Sequence, residues 1–149
     1  MPAHGDRRIL PYQAQQMYDL VADVERYPEF LPWCSVARVR SRAPQGDGRE
    51  VMLADLVISF SVFRERFGSR VLLDAAAGRI ETEYLDGPFR HLGSLWVFRD
   101  LEGQGCAVEF HVDFEFRNPI LRKLAGVVFN EAMHSIVRAF EVRAHALYG

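Results

Sequence analysis

The stretch NPILRKLAGVVFNEAMHSIVRAFEVRAHALY, Asn118 to Tyr148, decides the fold. Asn118 is a side chain that can accept from the free N–H groups of a helix start, and Pro119 suits the first helical position. No proline follows, so the spacing predicts one helix of roughly 30 residues, about 45 Å long at ~1.5 Å per residue. At about 100° per residue, Lys123, Asn130, His134, Glu141 and His145 collect on one narrow stripe. Leu121, Leu124, Ala125, Val128, Phe129, Ala132, Met133, Ile136, Ala139, Phe140 and Leu147 occupy the rest. That apolar arc is roughly twice the ~100° stripe of a surface helix. Such a helix must be gripped by a deep groove of sheet, or part of it must face an internal cavity. Ala125, Ala132 and Ala139, seven apart, run along the middle of the arc. Small residues there leave room for close backbone approach or for a ligand.

Upstream lies the material for the groove. A short strand, Arg7–Leu10, is followed by an amphipathic helix over Tyr12–Val24 and an aromatic turn over Tyr27–Trp33 between two prolines. Val36–Ala43 alternates, with Arg38, Arg40 and Arg42 on one face. Glu50–Asp74 is strand-like but far longer than the ~3–10 residues of one strand. It must reverse at Ser59–Phe63 or bend at Gly68, and the hairpin is the favoured choice. Strands at Arg79–Asp86, Leu92–Arg99 and Cys106–Phe116 complete an antiparallel meander joined by turns at Gly87-Pro88 and Glu102–Gly105. The expected fold is α+β: a curved antiparallel sheet wrapped around the long C-terminal helix, over a single domain, 1–149.

Composition narrows the function. The 149 residues are 49% apolar with net charge −2, which marks a globular chain and leaves no electrostatic footprint for nucleic acid. No DNA partner is expected. Cys34 and Cys106 are far apart and have no metal-like spacing, which fits reduced thiols in a cytoplasmic protein. Met1–Leu10 has no apolar core of a secretory signal, and no run approaches the ~18 apolar residues of a membrane span.

Tyr18–Val24, Tyr27–Cys34, Gly87-Pro88-Phe89 with Trp96, Phe114-Glu115-Phe116, Phe140–Ala144 and Tyr148-Gly149 together resemble the START-like coenzyme Q-binding family, in order along nearly the whole chain. The resemblance implies a helix-grip fold with a hydrophobic tunnel between sheet and helix. It also implies a non-enzymatic role in binding or delivering ubiquinone for respiration, with ubiquinone as ligand and no other cofactor. Mitochondrial members carry a transit peptide that Met1–Leu10 lacks, which points to a bacterial or trimmed member. Bacterial relatives include ribosome-association toxins that oppose joining of the ribosomal subunits. Polyketide cyclases share the fold, so an enzyme is a third reading.

Strand alternation directs Phe67, Tyr84, Trp96, Phe98, Phe110 and Phe114 towards the helix. With Leu124, Ala125, Val128, Ala132, Ile136, Ala139 and Arg143 they are the expected tunnel lining. Thr82, Ser94 and Arg143 are the candidate inward polar groups, and Arg143 could cap a pocket or snorkel at the helix end. Phe60, Val62 and Phe63 at the hairpin tip are the expected contact with the inner face of a membrane. Arg38, Arg40 and Arg42 are the candidate ribosome contact. Glu109, His111, Asp113 and Glu115 share one face of the last strand and read as its solvent side, since Phe110 and Phe114 claim the core side. His134 and Glu141 read as solvated. No catalytic or metal motif is present: Ser94 has no His at a motif spacing, and there is no Gly-rich phosphate loop, H-E-x-x-H or C-x-x-C.

Overall fold

The computed structural model describes residues 3–60 and 62–149. Among them run β1 (Ala3–Leu10), α1 (Ala14–Ala22), a 3-10 turn (Val24–Glu29), β2 (Cys34–Pro44), β3 (Arg49–Phe60), β4 (Phe63–Asp74), β5 (Arg79–Asp86), β6 (Phe89–Asp100), β7 (Cys106–Phe116) and α2 (Pro119–Tyr148). The strands form one antiparallel sheet in the order β1-β7-β6-β5-β4-β3-β2. This is the expected α+β helix-grip arrangement. The first strand starts earlier than the sequence implied and pairs with β7 from Ala3↔Asp113 to Leu10↔Cys106. The first helix is shorter, and the helical turn expected at Tyr27–Trp33 falls earlier, with Pro28 inside it.

Local chemistry sets the long helix. The Asn118 side chain accepts from the N–H groups of Ile120 at 2.8 Å and Leu121 at 3.4 Å, with Pro119 in the first turn. Gly149 closes the other end through its N–H to the His145 carbonyl. The reversal in the long Glu50–Asp74 stretch occurs where expected. Phe60 pairs with Phe63 across a two-residue turn of which Ser61 lies outside the described residues. Pairing slips at four places: Cys34/Val36, Val39/Ser41, Gly68/Ser69 and Phe89/His91. Such irregularities bend strands and increase twist, which curves a sheet around a helix.

The core is unevenly filled. Met17, Leu20 and Val21 of α1, with Val24, lie over Met52, Leu73, Ile80 and Phe98 of the sheet. The C-terminal half of α2 adds Val137, Phe140 and Ala144 to the same cluster. Along the N-terminal half of α2, Leu124, Ala125, Val128, Phe129 and Ala132 are only half-buried. There no second helix fills the space between α2 and the sheet.

Candidate functional site: a cavity between sheet and helix

That space is a cavity of ≈ 330 Å³, near the lower end of the ~300–1,000 Å³ range of ligand pockets. Its roof is Leu121, Leu124, Ala125, Val128, Phe129, Ala132, Met133, Ile136 and Phe140 of α2. Its floor is the inner faces of β3 to β7, including Leu56, Phe67, Thr82, Ser94, Trp96, Phe110, Val112 and Phe114. The segment Leu31–Cys34 forms one side wall. Phe89 anchors an aromatic cluster at the β5–β6 turn: Phe67, Tyr84 and Phe114 meet its ring edge-on at 5.3, 5.7 and 5.7 Å, and Phe116 stacks on it at 4.6 Å.

Polar groups are sparse in the lining. Thr82 and Ser94 pair across β5 and β6 and bring two hydroxyls to the floor. The Ser69 hydroxyl turns back to the Ala54 carbonyl at 3.5 Å. The Tyr27 hydroxyl donates to the Val21 carbonyl, and burial pushes that phenol above its ordinary range. Burial likewise pushes the Cys34 thiol up to about 11. Glu65 is the one formally charged side chain among the described lining residues. Trp33 sits at φ 64, a left-handed conformation uncommon for a bulky residue. The Ser59 N–H holds its carbonyl at 2.8 Å, and its ring meets Phe60 edge-on at 5.7 Å.

Of the expected lining, Phe67, Trp96, Phe110, Phe114, Leu124, Ala125, Val128, Ala132 and Ile136 border the cavity, and Tyr84, Phe98, Ala139 and Arg143 do not. Tyr84 is spent on Phe89: its hydroxyl accepts from the Phe89 N–H at 3.0 Å. Phe98 lies at the end of the sheet that α1 covers, edge-on to Tyr18 at 5.8 Å. Ala139 falls beyond the cavity, on the half of α2 that contacts the core directly. Arg143 neither caps the pocket nor snorkels freely. It donates to Glu29 at 2.8 Å, with its guanidinium 5.3 Å from the Phe30 ring centre, and so fastens α2 to the 3-10 turn.

The hairpin tip is also corrected. Phe60 and Phe63 line the cavity instead of projecting, because residues paired directly across a hairpin share a face. Val62 in the turn is 89% exposed. The same alternation counted back from Phe67 would have revealed Phe63 and Glu65, and counted along β3 it would have revealed Leu56 and Ile58.

The arginine stripe is broken. The slip between Val39 and Ser41 brings Arg42 opposite Met52, on the inner face, where it meets Glu50 at 2.7 Å. Arg40 is bonded to Asp55, so of these three arginines Arg38 alone is exposed with no ion pair to a described residue. On β7, His111 and Asp113 are exposed, and Glu109 pairs with Arg7 and Arg99 at 3.6 Å each. No described group of His, Cys, Asp and Glu has a metal-holding arrangement. His134 is exposed with its ring 6.2 Å from that of His4, while Glu141 pairs with Arg8 at 3.3 Å instead of being merely solvated.

The cavity between sheet and helix thus has a nearly all-apolar lining. The model of the polyketide cyclase/dehydrase and lipid transport family matches residues 10–141. The chain belongs to that family. Within reach of it, the ribosome association toxin RatA of Pseudomonas aeruginosa is 36% identical over 150 residues, covering 100% of both chains. The mitochondrial coenzyme Q-binding protein COQ10 homolog B of Xenopus laevis is 33% identical, over 98% of this chain and 59% of its own. Among solved structures, an 18 kDa protein from Caulobacter crescentus is 34% identical with a TM-score of 0.81, over 100% of this chain and 99% of its own. The Zhui aromatase/cyclase of a Streptomyces species has a TM-score of 0.76 at 18% identity, over 97% and 93%, which shows shared fold alone. The family thus spans proteins named as toxins and quinone binders, and its fold spans cyclases. No described helix of this chain is long and apolar enough to cross a membrane.

Proposed function

We propose that the chain binds ubiquinone or a similar prenylated lipid in the cavity, without covalent chemistry, as a carrier or chaperone supporting respiratory electron transport. The observation that carries this reading is the cavity under the N-terminal half of α2, with an apolar roof and a floor that is apolar apart from a few polar side chains. Such a volume suits an isoprenoid chain, whose transfer from water is favourable by roughly 25 cal/mol per Å² buried. The described lining holds no His, Lys, Arg or Asp, so general acid–base chemistry on a polyketide would have few groups to use. A carrier must also collect its ligand. We assign a peripheral contact with the inner face of the membrane, from a cytoplasmic location, to the exposed Val62 at the hairpin tip. The test is extraction of the purified protein and mass spectrometry of what comes out. A prenylated quinone recovered unaltered supports the reading; a modified polyketide would favour the cyclase reading.

A second reading rests on the full-length likeness to RatA: association with the ribosome. Its candidate contact is reduced to the outer face of β2, where Arg38 has no ion pair to a described residue and Arg40 is committed to Asp55. Loss of salt-sensitive co-sedimentation with ribosomes on Arg38→Ala with Arg40→Ala would support it, because basic contacts to phosphate release counterions. Co-sedimentation that is unchanged would remove this face as the contact.

A further inference from the structure

We infer that the cavity selects an uncharged lipid whose polar end donates a hydrogen bond, such as a quinol, a phenol or an alcohol, and that Glu65 makes the selection. The inference rests on the lipid-binding reading above. Inner-facing residues of β4 alternate as Phe63, Glu65, Phe67, Ser69 and Val71, all of them in the lining. Their outward neighbours include Arg64 and Arg66, and Arg66 is taken up by Asp55 and Asp86 on the outer face. A sheet separates those cations from the Glu65 carboxylate, which lies between two Phe side chains and opposite Ile58. No described residue gives it an ion pair. It is half-buried, so it marks a water-accessible end of the cavity, beside the hairpin.

A carboxylate at that place can only accept. An amphiphile bound with its tail under α2 would put its polar end there. An alcohol or quinol O–H would then donate to the carboxylate, a charge-assisted bond of the stronger kind. An oxidised quinone presents only acceptor oxygens, which the carboxylate repels. A fatty acid presents a like charge in an apolar surround, which costs more. Thr82 and Ser94 do not discriminate in this way, because a hydroxyl both donates and accepts. They also sit far off: Val71, paired with Thr82, is six residues from Glu65, about 20 Å at ~3.3 Å per residue.

The experiment measures binding of four probes to the full chain: decyl-ubiquinol and decyl-ubiquinone without oxygen, and oleyl alcohol and oleate. The wild type should favour ubiquinol over ubiquinone, and alcohol over acid, by about tenfold or more, the scale of one hydrogen bond to a charged group. Preference for the reduced form by tenfold would raise the midpoint potential of the bound couple by ~30 mV, an independent readout. Glu65→Gln keeps the volume and supplies a donor, so the quinol ratio should collapse towards one and the alcohol ratio should fall. Thr82→Val and Ser94→Ala should leave them unchanged. A quinol ratio that survives Glu65→Gln, or that follows Thr82 or Ser94 instead, overturns the assignment to Glu65 while leaving the lipid-binding reading intact. Failure of the wild type to bind any of the four overturns both.

Discussion

Cys34 borders the cavity, yet burial holds its thiol near 11. At pH 8 only roughly one thiol in a thousand is then ionised, and the thiolate is the reactive form. In a Cys106→Ala background, the alkylation rate of Cys34 should keep rising about tenfold per pH unit through pH 9 to 10. A plateau near pH 9 would mean the sulfur is far more hydrated than its position indicates. Asp55 shows the opposite displacement. The Arg40 guanidinium, donating at 2.6 Å, holds its carboxyl below the ordinary carboxylate range, with Arg66 assisting. A depressed folded value contributes stability that is present above the unfolded value of about 3.9 and lost as pH falls through the folded one. Asp55→Asn should therefore lower the midpoint of unfolding at pH 7 and flatten its decline below about pH 4. An undiminished acid slope in that variant would move the linkage to other carboxylates. The same ion pair explains why Arg40 is poorly placed to reach a phosphate.

Ala132 lies on the roof of the cavity and is half-buried, with open volume facing it. In a tight helix–sheet contact, Ala132→Phe would overpack and cost about 1–3 kcal/mol. Facing a cavity, the ring instead buries apolar area, so the thermal midpoint should stay or rise while ligand binding is lost. Calorimetry of the variant with and without decyl-ubiquinone separates the two; a destabilised variant that still binds would place the roof against the sheet. This helix was also the most legible element, since Asn118-Pro119, the 3.6-residue period and the alanine spacing are all local features. The arc is misleading at its end: Ala139 and Arg143 share its face by angle, yet the core and Glu29 claim that half of the helix. Register was the illegible part. A one-residue slip in β2 turns Arg42 to the other face, and no local signal in Val39-Arg40-Ser41 announces it. At the hairpin, the sequence shows the place of the turn but not which way its residues face. In the sequence Phe60 and Phe63 look like a projection, because aromatic residues near a tip look exposed until the pair register is known.

Across the whole molecule, one sheet is covered by two unequal roofs: α1 with the end of α2 over one half, and the start of α2 alone over the other. The first half carries the buried core that keeps the fold, and the second can stay hollow without unfolding it. Ligand that fills the hollow should then act as a stabiliser of the whole chain. At a free concentration about 100 times Kd, linkage gives ~2.7 kcal/mol, or roughly 5–10 °C in Tm for a chain of this size. A quinone that binds yet leaves the Tm unmoved would have to sit on the unfolded chain equally well. The chain's two tryptophans, Trp33 and Trp96, both border the cavity, so fluorescence reads its occupancy directly. Titration with decyl-ubiquinone, an absorber that quenches nearby indoles, tests the central claim. The account predicts saturable quenching that ends at one equivalent and disappears in Ala132→Phe. Quenching that never saturates, or that is identical in Ala132→Phe, would contradict it.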